Sequence, residues 1–154
     1  MSFSYNLHVD DKDYALLAFE YNIGQDAQSN GVPAGGIAAG KIRLLLDVLD
    51  DNFFVNWMFN WKSQKDGTIT VNRIDQSSKF KEIKFTKAYM LEMVESFSVG
   101  TDNTLITPRD ESIFLEVYQW INQHQTRMDR SYVVYCEISA QTINVDGIAH
   151  DNKW

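Results

Sequence analysis

The sequence predicts a mainly β protein, an antiparallel barrel or sandwich with one short helix at about 51–60 and an extra helix at about 108–125. Three observations carry this. Short apolar/polar alternations recur along the chain, turn signals separate them at short spacing, and no strand–helix–strand alternation occurs.

The elements follow in order. Phe3, Tyr5, Leu7 and Val9 alternate with Ser4, Asn6 and His8, the period of a half-buried strand. Asp10 to Asp13 reads as a turn, and Tyr14 to Ile23 as the returning strand. Gly24 to Gly40 reads as a long loop of small and polar residues, punctuated by Asn30-Gly31, Pro33 and Gly35-Gly36. A loop of that length in a compact domain is usually functional or disordered. Ile42 to Val48 fits either a strand or a helix, and strand is preferred because a better helix follows. Asp50, Asp51 and Asn52 suit a helix start, after which Phe53, Trp57 and Trp61 share one face at spacings of four.

Lys65-Asp66-Gly67 reads as a turn into a strand with Ile69 and Val71. Ile83 and Phe85, then Tyr89, Leu91 and Met93, continue the alternation to Phe97. Gly100 to Thr107 is a second loop. Thr107-Pro108 with Asp110 then opens a helix bearing Ile113, Val117, Trp120, Ile121 and His124 on one stripe. Tyr132 to Ala140 is a strand, and Val145-Asp146-Gly147-Ile148 is a type I′ hairpin signal. The count is seven or eight strands and one or two helices in a single domain, residues 1–154.

The 154 residues suffice for one self-supporting core, and 44% apolar and 13% aromatic content places the chain in the globular class. A formal charge of -7 argues against a nucleic-acid partner, because no basic stripe is present to displace counterions. Cys136 alone cannot build a disulfide framework and fits a reducing compartment. The first residues carry neither a basic nor an apolar signal region, and no apolar run approaches the roughly 18 residues of a membrane span. The expectation is a product made in the cytoplasm, without a signal peptide and without membrane insertion.

Candidate chemistry is sparse. Gly35 to Lys41 matches the glycine and lysine positions of a phosphate-binding loop, but Ile42 stands where a hydroxyl would hold magnesium. His8, His124 and His150 are scattered, with no metal-ligand spacing. Cys136 sits mid-strand and reads as a small core residue; a catalytic pair with His150 would need an activating turn or helix start. The acidic pairs Asp10-Asp11, Asp50-Asp51 and Asp110-Glu111 fall at turns and helix starts, where caps and solvated charges explain them. The expectation is no enzyme, no cofactor and no metal.

Four segments together resemble one family. They are the opening Met-Ser-Phe-Ser-Tyr-Asn-Leu-His-Val-Asp-Asp-Lys-Asp-Tyr; Gly-Lys-Ile-Arg-Leu-Leu-Leu-Asp from Gly40 with the aromatic helix ending Trp57-Met-Phe-Asn-Trp; Lys65-Asp-Gly-Thr-Ile continuing to Ile83 through Ser98; and Ile138-Ser-Ala through Val-Asp-Gly-Ile-Ala-His-Asp-Asn-Lys-Trp154. Their order and the ending resemble the tube-forming Hcp or TssD family of type VI secretion systems, in its Bacteroidetes form.

The resemblance implies an Hcp-type β-barrel that closes into hexameric rings, which stack into a hollow tube propelled by a contractile sheath and able to carry effectors. It implies self-association as the main partnership, with sheath, spike and effector proteins as further partners, and secretion through the apparatus. The family's extended loop maps onto Gly24–Gly40, with Gln25, Asp26, Gln28, Asn30, Val32, Pro33 and Ile37 as ring-stacking contacts. Trp154 is expected to dock the closing segment on the barrel or a neighbour. One departure is an insert at about 100–130, longer than the family connection, which would suit a paralogue that caps or decorates the tube. A monomeric barrel binding a small apolar ligand is the alternative from a different class.

Overall fold

The computed structural model describes residues 2–46, 49–76, 78–97, 132–152 and 154. The expected helix at about 108–125, with Trp120 and His124, and the insert at about 100–130 lie outside these residues.

Seven strands and one helix are described: β1 (Phe3–Val9), β2 (Lys12–Ala27), β3 (Pro33–Leu46), α1 (Phe53–Phe59), β4 (Lys65–Arg73), β5 (Ser78–Phe97), β6 (Tyr132–Val145) and β7 (Ile148–Asp151). All neighbouring strands are antiparallel, in the order β3-β2-β1-β4-β5-β6-β7. A further pairing of β3 with β6, from Lys41↔Ser139 to Leu46↔Val134, closes the sheet on itself. The free edge of β6 is therefore shared: β3 takes its first half, and β7 takes Thr142 to Val145. Closure removes the open edges that an isolated sheet would present.

The alternation of β1 decides its orientation. Leu7 and Val9 are fully buried, while His8 faces solvent beside Asp13. Leu44, Leu46, Ile69, Ile83, Phe85, Val134, Cys136 and Ile138 join them in one core. At the end where β3 leaves and β4 begins, α1 seats Phe54 and Trp57 in that core. The helix start is held by Asp51, whose carboxylate accepts the Phe53 N–H at 3.1 Å and the Tyr14 hydroxyl at 2.9 Å. Asn52 occupies the N-cap position without a side-chain bond.

Three expectations need correction. First, α1 ends at Phe59, so Trp61 is not on its stripe; the Ser63 N–H bonds the Asn60 carbonyl and turns the chain, leaving Trp61 outside. Second, β5 does not keep one alternation. Ile83 and Phe85 point inward, but beyond Lys87, at φ +52°, the inward residues become Ala88 and Met90, and Leu91 faces out. β6 switches faces opposite, from Ile143 to Ala140, so the two strands bend together. A register shift between Met90 and Glu92 then brings Met93 back against the core. Third, Lys65-Asp66-Gly67 is already part of β4, paired with β5.

The hairpin at Asp146-Gly147 has both central residues at positive φ, 52° and 96°, as the type I′ turn requires. A smaller cluster of Leu45, Val133 and Tyr135 lies apart from the main core, with Leu17, Ala18 and Val94 beside it. Among the described residues, no polar or charged residue is buried in the core, which limits the desolvation cost of folding.

Candidate assembly surface: a projecting arm and its brace

Gly24 to Gly40, expected as a loop, is mostly strand: β2 runs to Ala27 and β3 begins at Pro33. β2 pairs with β1 only as far as Tyr5↔Leu16, and β3 pairs with β6 only from Lys41 onward. Between those limits β2 and β3 continue to pair with each other, from Ile23↔Ala39 to Ala27↔Pro33. The result is a two-stranded arm that runs on beyond the closed barrel. The small residues concealed it, because a ribbon with no core to cover has no reason to alternate apolar and polar side chains. Register shifts between Leu16 and Ala18, Tyr21 and Ile23, and Gln25 and Ala27 also break the period.

The tip is closed locally. Gln28 N–H bonds the Val32 carbonyl at 2.7 Å, Gly31 N–H bonds the Gln28 carbonyl at 2.9 Å, and the Asn30 side chain accepts the Val32 N–H at 3.1 Å. Asn30 therefore has a turn-forming role that its residue type supports. Gln25 stands opposite Ile37, and Pro33 opposite Ala27, where a missing N–H is tolerated at a strand end. Asp26 is the one charged residue between Tyr21 and Gly40. Ile23, Val32 and Ile37 expose about half of their surface, at 56%, 51% and 46%.

The base of the arm is braced by the segment after β7. Asn152 holds β3 against β6: its amide Nδ2 donates to the Ala39 carbonyl and, at 3.0 Å, to the Ala140 carbonyl, while its Oδ1 accepts the Ala39 N–H at 3.2 Å. His150 Nε2 lies 3.1 Å from the Ile37 carbonyl oxygen. Trp154 stacks on Tyr89, with ring centroids 5.4 Å apart and an interplanar angle of 28°. Ile37, Ala39, Lys41, Ser139, His150 and Trp154 line a surface groove of about 650 Å³. Of the residues singled out from the sequence, Ile37 and Trp154 thus come together, while Gln28, Asn30 and Val32 sit at the far tip.

Asn152 and Tyr89 were not singled out from the sequence. Asn152 acts on Ala39, 113 positions away, and no local pattern encodes such a contact. Gly35 to Lys41 lies within strand β3 and not in a turn before a helix, so the arrangement that cradles a phosphate is missing.

The remaining chemistry is dispersed. Cys136 is enclosed by the core, and burial, with Glu95 nearby, pushes its thiol far up. His150 meets Ile37 at the surface, so it does not serve Cys136. Asp13 is held below the usual carboxylate range by hydrogen bonds from Asn6 and His8. Among the described residues, no three His, Cys, Asp or Glu side chains cluster as a metal would need, and no helix is long and apolar enough to cross a membrane.

The comparisons agree with this architecture. A family model for hemolysin coregulated protein Hcp (TssD) matches residues 1–116. The solved structure of Hcp1 from Flavobacterium johnsoniae is 25% identical, with a TM-score of 0.74 over 97% of this chain and 99% of that one. Hcp1 from Salmonella typhimurium is 10% identical with a TM-score of 0.62, covering 94% of this chain and 86% of that one. A chain of the sheath/tube terminator of the PVC extracellular contractile injection system is 12% identical with a TM-score of 0.56, covering 92% of each. The last two likenesses speak to the fold. No match was found among curated proteins. The chain belongs to the Hcp (TssD) family, a structural and not an enzymatic family, and is a tube subunit of a type VI secretion system.

Proposed function

We propose that six copies close into a ring and that rings stack through the β2–β3 arm, with Gln25, Asp26, Gln28, Asn30, Val32, Pro33 and Ile37 as the stacking contacts. The observation that carries this reading is the arm itself, a ribbon that leaves the barrel with three apolar side chains exposed. Exposed strands and apolar side chains are liabilities in a monomer, and a neighbouring subunit would cover both. A heterologous contact between identical chains closes into a ring when its rotation fits and extends along an axis when it does not. A tube needs both.

The tube lumen would shelter effectors, and a sheath and spike would supply the motion. The chain would be made in the cytoplasm and leave through the apparatus, with no cofactor and no catalysis of its own. Trp154 would dock the closing segment against β5. The insert at about 100–130 would belong to the same single domain, and it favours a capping or decorating paralogue as the variant form of this proposal. Such a subunit would form rings that do not elongate. The monomeric ligand-binding barrel needs a hollow interior, whereas Leu7, Leu44, Trp57, Ile69 and Phe85 fill the space here.

The test replaces residues 24–38 by an Asn-Gly turn joining Ile23 to Ala39, which already face each other. Single rings without stacks are expected in negative-stain images, at a melting temperature close to that of the parent. Val32→Asp with Ile23→Asp keeps the hairpin and should give the same result. Normal tubes from both variants would refute the role of the arm.

A further inference from the structure

We propose that the arm of one subunit docks on the exposed aromatic end of α1, Phe59 and Trp61, in the copy one ring further along the tube. This rests on the stacking role given above and adds its receiving surface.

The two features lie at opposite poles of the barrel. The arm leaves past Tyr5↔Leu16, at the pole that holds the start of β1 and the turn between β4 and β5. The other pole holds the Asp10-Asp11 turn, the end of β3 and α1. Identical subunits that stack head to tail must join two different surfaces, so the arm pole of one copy meets the α1 pole of the next.

Among the described residues, Phe59 and Trp61 are the prominent apolar groups at that second pole, exposed by 83% and 74%. Their exposure follows from the helix. Phe54 and Trp57 occupy the core, the helix stops at Phe59, and the turn through Asn60 to Ser63 throws Trp61 outward. Phe97, also at this pole, is already stacked on Tyr132 at 4.9 Å. Large aromatic groups left in water are characteristic of the centre of an interface, and aliphatic residues such as Val32 and Ile23 are suitable partners for them.

Charge points the same way. Lys62 lies 5.0 Å over the Trp61 ring, placing a cation within the aromatic patch, and the arm brings one charge, the anionic Asp26. Reach is sufficient as well. The shorter strand of the arm, Ile23 to Ala27, rises about 3.3 Å per residue and, with the tip turn, extends the arm roughly 20 Å beyond the barrel.

The experiment is a cysteine cross-link in the full chain. Val32→Cys with Trp61→Cys, and separately Asp26→Cys with Lys62→Cys, place thiols on both proposed faces; the second pair leaves both aromatics intact. Cys136 is buried and does not compete. After mild oxidation of assembled tubes, each double variant should give a ladder of covalent multimers on a non-reducing gel, and each single variant only monomer. Dimers from Val32→Cys or Asp26→Cys alone would mean that arms meet arms, which overturns the proposal. Tubes that form normally but yield no ladder from either pair would place the receiving surface elsewhere and overturn it too, while stacking through the arm would stand. If the unmodified protein makes no stacked rings, the stacking role itself fails, and that is seen before any cross-linking.

Discussion

Gly40 is the residue on which the joint between arm and barrel turns. Its φ is +105°, and a Cβ there would run into the Ala140 carbonyl oxygen and lie 2.8 Å from Asn152 Nδ2. Gly40→Ala therefore meets two penalties. A side chain in a left-handed backbone conformation costs about 1–2 kcal/mol. Displacing Asn152 from the Ala39 and Ala140 carbonyls forfeits bonds worth about 1 kcal/mol each. The sum is about 3–4 kcal/mol, and in a chain of this size each kcal/mol shifts the melting temperature by about 2–4 °C. A fall of roughly 6–16 °C is expected. Gly36→Ala is the control, four residues earlier in the same arm: its Cβ would enter open space and its φ is not positive. That change should stay within about 0.5 kcal/mol. Thermal unfolding followed by circular dichroism, at a concentration low enough to keep the protein unassembled, separates the two, because assembly itself raises the apparent melting point. Equal melting of Gly40→Ala and the parent, or equal falls for the two alanine variants, would refute the reasoning.

Other outcomes follow from the same geometry. Trp154→Ala removes an offset stack on Tyr89 at a half-exposed site, so a loss of about 1 kcal/mol is expected in urea unfolding, and none at all would mean the ring is not docked. Asp51 titrates low: burial alone would raise its pKa, but the Phe53 N–H, the Tyr14 hydroxyl and Lys12 outweigh that effect. A folded pKa below the unfolded value of about 3.9 stabilises the fold above that pH, and the contribution is lost as pH falls through the folded value. Asp51→Asn should therefore flatten the acid limb of the stability–pH curve below about pH 4, and an unchanged slope would count against this anchor. Cys136 should ignore a thiol reagent in the native protein and react only as the barrel opens; a fast stoichiometric burst would contradict its burial.

Local chemistry was legible where one face of an element is buried and the other is wet. β1 shows this directly, since its alternation matches the burial of Leu7 and Val9 against exposed His8. The Asp146-Gly147 turn was equally plain, because few residue types tolerate two successive positive φ angles. The acidic start of α1 was legible too, although Asp51 and not Asn52 makes the capping bond. The end of α1 was not, since aromatic spacing continues to Trp61 after the backbone has turned away.

By itself the sequence determined a mainly β chain, the strands bearing the core, the final hairpin and, through the order of its segments, the family. Apart from the family, those features depend on neighbours a few residues apart. The tertiary structure alone decided that Gly24–Gly40 is a paired arm, that β5 and β6 change faces together, and that β3 and β6 close the barrel with Asn152 across their junction. In each case the deciding contact is a backbone ladder or a side-chain bond between distant segments. Small residues such as Ala39 and Gly40 leave no periodic trace of such contacts, because there it is the backbone that makes them and not the side chain.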